Sequence, residues 1–396
     1  MRGLYTFGIR VYAAAVRIAA WFGNSKAKLW VAGRKKSLPH ADDESHWVWF
    51  HAASLGEFEQ GRPLIEALKE RYPQLKVSLT FFSPSGYEVR KDYPLADEVL
   101  YLPIDTMKNA RQWVGRHHFV AAFFIKYEFW FNYMKALYDS GIPLYYISLI
   151  LKPNHFFFRW YGGWFRKQLR HVSHFFVQDE TTLDLLKGFD CVTLCGDTRF
   201  DRVAAIAKTA RRFPEIEAFI HGRKCLIAGS TWPPDEKLLL PYLERLPEDY
   251  CMIIAPHDVG EKHLKQLREA LDAVKPDKVH LIDTVGVLSQ LYQYARFVYI
   301  GGGFGVNIHN IQEPVTFGCP VVFGPKYTSF KEAVDLVRLG GAFPVHDQTT
   351  LNQVFDRLIG DEAYCEEASK TCRDYLAGQL GATDMIMREI TSTSAF

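Results

Sequence analysis

Acidic residues are missing from the start of this 396-residue chain: the first is Asp42. Before it stand Arg2, Arg10, Arg17, Lys26, Lys28, Arg34, Lys35 and Lys36, interleaved with Leu4, Tyr5, Phe7, Ile9, Val11, Tyr12, Val16, Ile18, Trp21 and Phe22. Long apolar runs are missing as well. Arg10 and Arg17 interrupt the N-terminal stretch well short of the roughly 20 apolar residues that cross a bilayer. No small-residue cleavage site of the signal-peptide kind is present either. What remains is the pattern of a basic, aromatic, amphipathic helix that lies on an anionic membrane surface. The competing reading is an ordinary helix packed on its own domain.

Seven cysteines include no Cys-x-x-Cys pair and fit no disulfide framework. Cys225 and Cys251 sit in apolar runs, where reduced cysteine behaves as a small hydrophobe, so a reducing compartment is expected. Excess charge is absent too, with 47 Lys and Arg against 45 Asp and Glu, which argues against nucleic acid as a partner. There is no Asp-x-Asp, the usual carboxylate pair for a metal on a nucleotide diphosphate, and neither a metal nor a cofactor is expected. The absence of Gly-x-Gly-x-x-Gly and of a P-loop weakens nicotinamide and ATP readings.

Nearly half of the residues are apolar and 15% are aromatic, enough to fill two cores. Strand-like runs lie at 46–52, 77–82, 98–102, 119–125, 144–150, 175–177 and 192–195, with helical stretches such as 58–72 and 132–140 between them. After a polar, helix-prone segment at 201–213 the alternation resumes, with strands at 225–228, 250–255, 278–282, 297–300, 320–323 and 342–345. Two such series predict an α/β protein of two doubly wound, Rossmann-like domains facing a cleft. The expected divisions are a basic membrane-associating segment at 1–40, a first domain at 41–203, a second at 204–375, and a returning helix at 376–396.

Residues 51–57, His-Ala-Ala-Ser-Leu-Gly-Glu, join a strand to a helix. That turn falls at the carboxyl edge of a parallel sheet, where ligands collect. Glu57 can serve there as a general base. Ser54-x-x-Glu57 is equally a capping box that satisfies helix-end N–H groups. In the second half, Gly301, Gly302 and Gly303 follow an apolar strand, and a helix after them would offer N–H groups to a phosphate. Glu313 can accept hydrogen bonds from a ribose diol, although Asn310-x-x-Glu313 also has cap spacing. Gly229-Ser230-Thr231 and Pro256-His257 are expected as turns on the same sheet edge. Residues 152–171 mix seven aromatics with Lys152, Arg159, Arg166, Lys167 and Arg170. This composition suits a membrane interface or a phosphorylated amphiphile, or a buried helix with snorkelling cations.

Together these segments resemble the bacterial 3-deoxy-D-manno-octulosonic acid (Kdo) transferases, from about residue 26 to residue 382. The family's His-Ala-Ala-Ser-Val-Gly-Glu is similar to residues 51–57, and its Leu-Pro-Ile-Asp stands at 102–105. Gly-Asn-x-Lys-Phe-Asp is approximated by Gly196-Asp197-Thr198-Arg199-Phe200-Asp201, and the Gly-Ser-Thr and His-Asn-x-x-Glu-Pro segments are present. The resemblance implies a GT-B fold, CMP-Kdo as donor, and an inverting transfer without metal. It also implies a tetraacylated lipid A precursor as acceptor, at the cytoplasmic face of the bacterial inner membrane. By position, Glu57 becomes the catalytic base, ionised by its place at a helix start. Ser54, Gly56, Glu128, Asn132 and Lys152 fall to the acceptor. Arg199, Gly229, Ser230, Thr231, His257, Gly302, Gly303, Asn310 and Glu313 fall to the donor. The chain departs from the family pattern where Lys126 replaces an acid, Phe131 a proline and His257 an arginine. Another nucleotide sugar, or a non-catalytic lipid-binding role, is the alternative.

Overall fold

Every strand-like run of the sequence overlies a strand, and all the pairings are parallel. In the computed structural model, which describes residues 1–34, 45–272, 274 and 277–392, the chain divides into two units. One is Met1–Asp201 with Gly381–Phe396, and the other is Arg202–Leu380. Lys35, Lys36, Asp42, the boundary expected at residue 40 and the last four residues of the returning segment lie outside the described residues.

The first unit contains β1 (His46–Ala52), β2 (Lys76–Phe81), β3 (Glu98–Tyr101), β4 (His118–Ile125), β5 (Leu144–Leu149), β6 (His174–Val177) and β7 (Val192–Leu194). Their order is 3-2-1-4-5-6-7. The second contains β8 (Lys224–Thr231), β9 (Tyr250–Pro256), β10 (Val279–Leu281), β11 (Ala295–Ile300), β12 (Val321–Phe323) and β13 (Ala342–Pro344), in the order 10-9-8-11-12-13. Each sheet is wound outward in both directions from a central pair, β1 beside β4 and β8 beside β11. At such a switch point the connections leave toward opposite faces and open a crevice at the carboxyl ends of the strands.

These strands are apolar on both faces because both faces are covered. Along β1, Trp47 and Trp49 enter one core with Trp113, Phe124 and Tyr133. The alternate residues Val48, Phe50 and Ala52 enter the other, with Phe58, Leu64 and Leu68 of the helix α3 (Leu55–Arg71). The helix Ala382–Ser392 returns to that second core through Ala382, Ile386 and Ile390. Asp201 accepts the N–H groups of Gly381 and Thr383, at 2.7 and 2.6 Å, and so holds the start of that helix. The helix-prone segment at 201–213 carries the helix Arg199–Lys208, and a separate helix, Pro214–Ile220, follows it, since Pro214 suits a first helical turn and not a helix interior.

The N-terminal segment forms α1 (Arg2–Trp21) and α2 (Ser25–Gly33). One face of α1 is tied down. Its Arg2 guanidinium donates to Phe131 O at 3.2 Å and to Gln168 Oε1 at 2.6 Å. The Tyr5 hydroxyl donates to Asp105 Oδ2 at 2.6 Å. Asp105 is fully buried and also accepts the N–H groups of Asn132 and Tyr133, each at 3.1 Å, at the start of the helix Phe131–Asp139. Burial nonetheless pushes this carboxyl up to about 6. The other face leaves Leu4, Phe7, Val11, Ile18, Trp21 and Phe22 exposed. No helix among the described residues is long and apolar enough to cross a membrane.

Tyr5→Phe strips a donor from a buried carboxylate. It is expected to cost the first unit about 1.5–3 kcal/mol in a urea titration. The folded state binds the Asp105 proton more tightly than the unfolded chain, whose aspartates titrate near 3.8. The contribution of this group is therefore complete below about pH 4 and is lost as pH rises through 6. An Asp105→Asn protein is expected to lose that pH dependence, as read from urea midpoints between pH 4 and 7.

Candidate active site

β1 reaches the switch point of the first sheet with His51 and Ala52, and α3 begins three residues beyond Ala52. Ser54 is extended and caps α3, while Glu57 reaches back to accept the Ser54 N–H at 2.9 Å. The capping box expected from the sequence is thus formed. Glu57 is not thereby held ionised, which corrects the expectation of an ordinary carboxylate at a helix start. Burial and the neighbouring charge of Glu128 push it up to about 7, against the pull of the Ser54 and Ala53 N–H groups and of Lys126. Desolvation of a half-buried carboxylate outweighs the partial charge of one helix turn.

Glu128 follows β4, the other strand of the switch point. The indole N–H of Trp130 is shared between Glu128 Oε2 at 2.8 Å and His51 Nε2 at 2.9 Å. These two acceptors lie 3.2 Å apart. With Nε2 accepting, the fully buried His51 carries its proton on Nδ1 and donates to Thr80 Oγ1 at 2.8 Å. Thr80 also accepts from Trp49 Nε1 at 2.8 Å and donates to Phe50 O at 3.2 Å. These linked contacts hold the Glu128 carboxylate, whose charge acts on Glu57. Lys126 precedes it in the left-handed region, with φ of 58°.

In the second unit the switch point is built on a buried carboxylate, Asp235. It accepts the Tyr299 hydroxyl at 2.8 Å and the N–H groups of Trp232 and Gly302, both at 2.9 Å. This locks the glycine turn after β11 to the helix Pro233–Tyr242 that follows β8. Gly302 has φ of 93°, and a Cβ there would meet Asn307 O at 2.5 Å. A Cβ on Gly303 would meet the Gly324 backbone at 2.7 Å. Above these strand ends three rings stack. Trp232 lies 4.7 Å from His257 and His257 lies 4.4 Å from His309, with interplanar angles of 26° and 24°. Trp232 Nε1 donates to His309 Nε2 at 2.9 Å. Burial, with a smaller part from His257, pulls His309 below its ordinary value and keeps this acceptor unprotonated.

Several expectations are revised here. Gly229, Ser230 and Thr231 form no turn after β8. They complete it, with Ser230 at φ 54° and the register against β9 shifted between Gly229 and Thr231. Pro256 likewise still belongs to β9, and His257 N–H donates to Thr231 O at 2.9 Å. The helix after the glycines is Gln312–Thr316, and the chain just before it returns to the glycine turn, where His309 N–H donates to Gly301 O at 3.1 Å. Its Asn310 and Glu313 do pair, with Nδ2 to Oε1 at 3.2 Å, while Asn310 Oδ1 accepts the Gln312 N–H at 3.0 Å. Asn132 is fully buried; its Nδ2 donates to Asp105 O at 2.8 Å and to Thr6 Oγ1 at 3.3 Å, while its Oδ1 is buried without a hydrogen-bond partner among the described residues. That burial is at odds with the direct acceptor contact expected of it. Gly56 is exposed on the first turn of α3. Lys152 is exposed after β5 and takes no part in the His51–Glu128 contacts. Arg199 lies in the first unit, bound to Asp197 through Nε at 2.9 Å and a terminal nitrogen at 2.6 Å.

The sequence reading singled out neither His51, Thr80 nor Trp130 as functional. Their signal is visible only as polar groups at the carboxyl ends of three different segments. Among the described residues, no group of three or more His, Cys, Asp or Glu is placed to hold a metal ion. A carbon-detected NMR titration is expected to show Glu57 turning over near pH 7. Glu128→Gln removes a like charge and moves that midpoint down, whereas Lys126→Ala moves it up. A midpoint near 4.5 in all three proteins would refute this account of the pair.

A family model described as 3-deoxy-D-manno-octulosonic-acid transferase (kdotransferase) matches residues 25–202. The chain is 25% identical over 422 aligned positions to a 3-deoxy-D-manno-octulosonic acid transferase of Bordetella pertussis, covering 96% of this chain and 97% of that one. A protein of the same description from Aquifex aeolicus is 24% identical over 345 positions, 82% of this chain and 89% of its own. Among solved structures, the UDP-GlcNAc 2-epimerase of Neisseria meningitidis superposes with a TM-score of 0.63 at 16% identity, over 88% of this chain and all of that one. Acinetobacter baumannii MurG gives 0.59 at 14% identity, over 88% and 99%. At such identities the likeness concerns the fold, which is GT-B. Matched by that family model over most of its first unit, the chain is similar to 3-deoxy-D-manno-octulosonic acid transferases over nearly its whole length.

Proposed function

We propose that this enzyme moves Kdo from CMP-Kdo onto a sugar hydroxyl of a tetraacylated lipid A precursor, in a single inverting displacement that uses no metal ion. The observation that carries the reading is Glu57, a half-buried carboxylate at a switch point, pushed to about 7 by burial and by Glu128. A base titrating near the working pH is half ionised and still basic enough to take a proton. In the proposed step the acceptor oxygen bonds to the anomeric carbon, its proton passes to Glu57, and CMP leaves with the electron pair of the broken bond. A leaving group with one phosphate carries less charge than a nucleotide diphosphate, and fixed N–H groups and cations suffice to hold it.

The division of labour follows the family. The first unit takes the acceptor, through Ser54, Gly56, Glu128 and Lys152. The second takes the nucleotide, with the ring faces of Trp232, His257 and His309 available to a pyrimidine. Ser230, Thr231, Gly302, Gly303 and Asn310 surround it, and Glu313 accepts from its ribose. Arg199 balances donor charge. The exposed apolar face of α1, with Arg10, Arg17, Lys26 and Lys28 exposed beside it, supports attachment to the cytoplasmic face of the inner membrane without a span.

The decisive assay is transfer from CMP-Kdo, made in situ, to the tetraacylated precursor in detergent, read by mass spectrometry. Glu57→Gln keeps an oxygen for the Ser54 N–H but cannot accept a proton. It is expected to lose about 10²–10⁴-fold in turnover while CMP binding persists. Glu313→Ala is expected chiefly to weaken donor binding. Full turnover in Glu57→Gln would leave Glu57 as a helix cap only. In vesicle flotation, Arg10→Glu with Arg17→Glu is expected to lower binding to anionic vesicles at least about tenfold, with salt weakening the unaltered protein in the same direction.

A further inference from the structure

A groove of about 470 Å³ opens in the first unit between α1 and residues 155–165. Tyr5 and Ile9 of α1 line it, together with Phe156, Tyr161 and Phe165. Residues 127–131 and His155 add to the lining, and among them Trp130 shares its indole N–H between Glu128 and His51. The volume falls within the roughly 300–1,000 Å³ of small-molecule sites. Its walls are almost wholly aromatic and aliphatic, and the carboxylate that interrupts them already belongs to the candidate active site.

We propose that this groove seats one hydrocarbon chain of the acceptor, so that chain and attacking hydroxyl are held by the same unit. The inference rests on the acceptor being an acylated sugar, as proposed above. Three observations select that occupant. A molecule lying in the groove touches Glu128, so its polar part reaches the neighbourhood of Glu57, as a substrate must. The groove is flanked by apolar side chains left in water: Leu4 and Phe7 are 67% and 64% exposed, and Trp160 is 95% exposed. Such a surface is what a chain leaving a bilayer would cross. Finally, Arg159, Arg166 and Lys167, next in sequence to the lining residues, are all exposed. They complement the anionic head of a phosphorylated amphiphile and oppose a basic peptide helix. Each methylene withdrawn from water strengthens binding by about fourfold, so the groove makes affinity depend on chain length.

The test compares two acceptors with the full chain: the tetraacylated precursor and its fully deacylated disaccharide phosphate. Ile9→Trp fills the groove from α1 and changes no titratable group. It is expected to raise KM for the acylated acceptor at least tenfold and to leave kcat/KM for the deacylated one unchanged. Ile9→Ala, which removes contact without adding bulk, is expected to shift the same ratio by a smaller factor. Equal effects on both acceptors, or none on either, would overturn the proposal. A second readout needs no turnover. A diazirine placed on the acyl chain of a phosphorylated glucosamine lipid is expected to label peptides carrying Ile9, Phe156 or Phe165. Labelling confined to Leu4, Phe7 and Trp160 would reduce this face to plain membrane contact and overturn the groove. Groove labelling without Kdo transfer to any acceptor would sink the reaction assignment and keep the chain site.

Discussion

A parallel strand buried on both faces must deliver its chain to one edge, and the next strand can begin only after a crossover returns to the other. Both units obey this constraint, and both reverse their winding once, at β1 beside β4 and at β8 beside β11. The reversal parts the loops at one edge of each sheet. Residues 52–57 and 126–130 meet there in the first unit, and residues 229–232 and 301–309 in the second. Core packing therefore decides where chemistry can be placed. The apolar alternation of β1, with two tryptophans to one side and Val48 and Phe50 to the other, is what carries His51 and Glu57 to that edge.

Buried carboxylates do the fixing, and their surroundings separate scaffold from reagent. Asp235 accepts three donors and stitches a strand end to a helix start. Asp105 accepts three as well and binds α1 to the helix Phe131–Asp139. Both spend their lone pairs inside the protein. Burial pushes Asp105 and Glu57 alike toward the neutral form; Glu57 differs in facing a like charge, Glu128, at the sheet edge. A carboxylate perturbed by burial together with a specific charge partner is a functional-site candidate. Lys126 pulls in the opposite direction from Glu128, so Glu57 lies between one cation and one anion.

α1 has two unlike faces. Its inner face packs through Arg2, Tyr5 and Ala13, as a domain helix does, while its outer face keeps apolar side chains in water. The aromatic segment at 152–171 behaves alike. Phe157 is fully buried, Phe156 and Phe165 line a groove, and Trp160 stands free. Neither segment had to choose between core and surface, because a short helix presents both.

Periodicity and composition by themselves determined the strands, the two-domain α/β class and the turn at Glu57, since double-sided burial demands continuous apolar runs that local reading detects. Glycine spacing marked the close backbone approach at Gly302 and Gly303. What Glu57 is for was not legible, because a cap and a base share one spacing and differ only in the desolvation and the second charge that the fold supplies. The same limit hid His51, Thr80 and Trp130, whose connection runs across 79 residues of sequence at its widest. It also hid the burial of Asn132, whose Nδ2 donates to Thr6 Oγ1 of α1 from 126 residues away. Tertiary structure alone decides such matters, because a pKa, a shared proton donor and a groove all arise from distances between segments that the chain order does not encode.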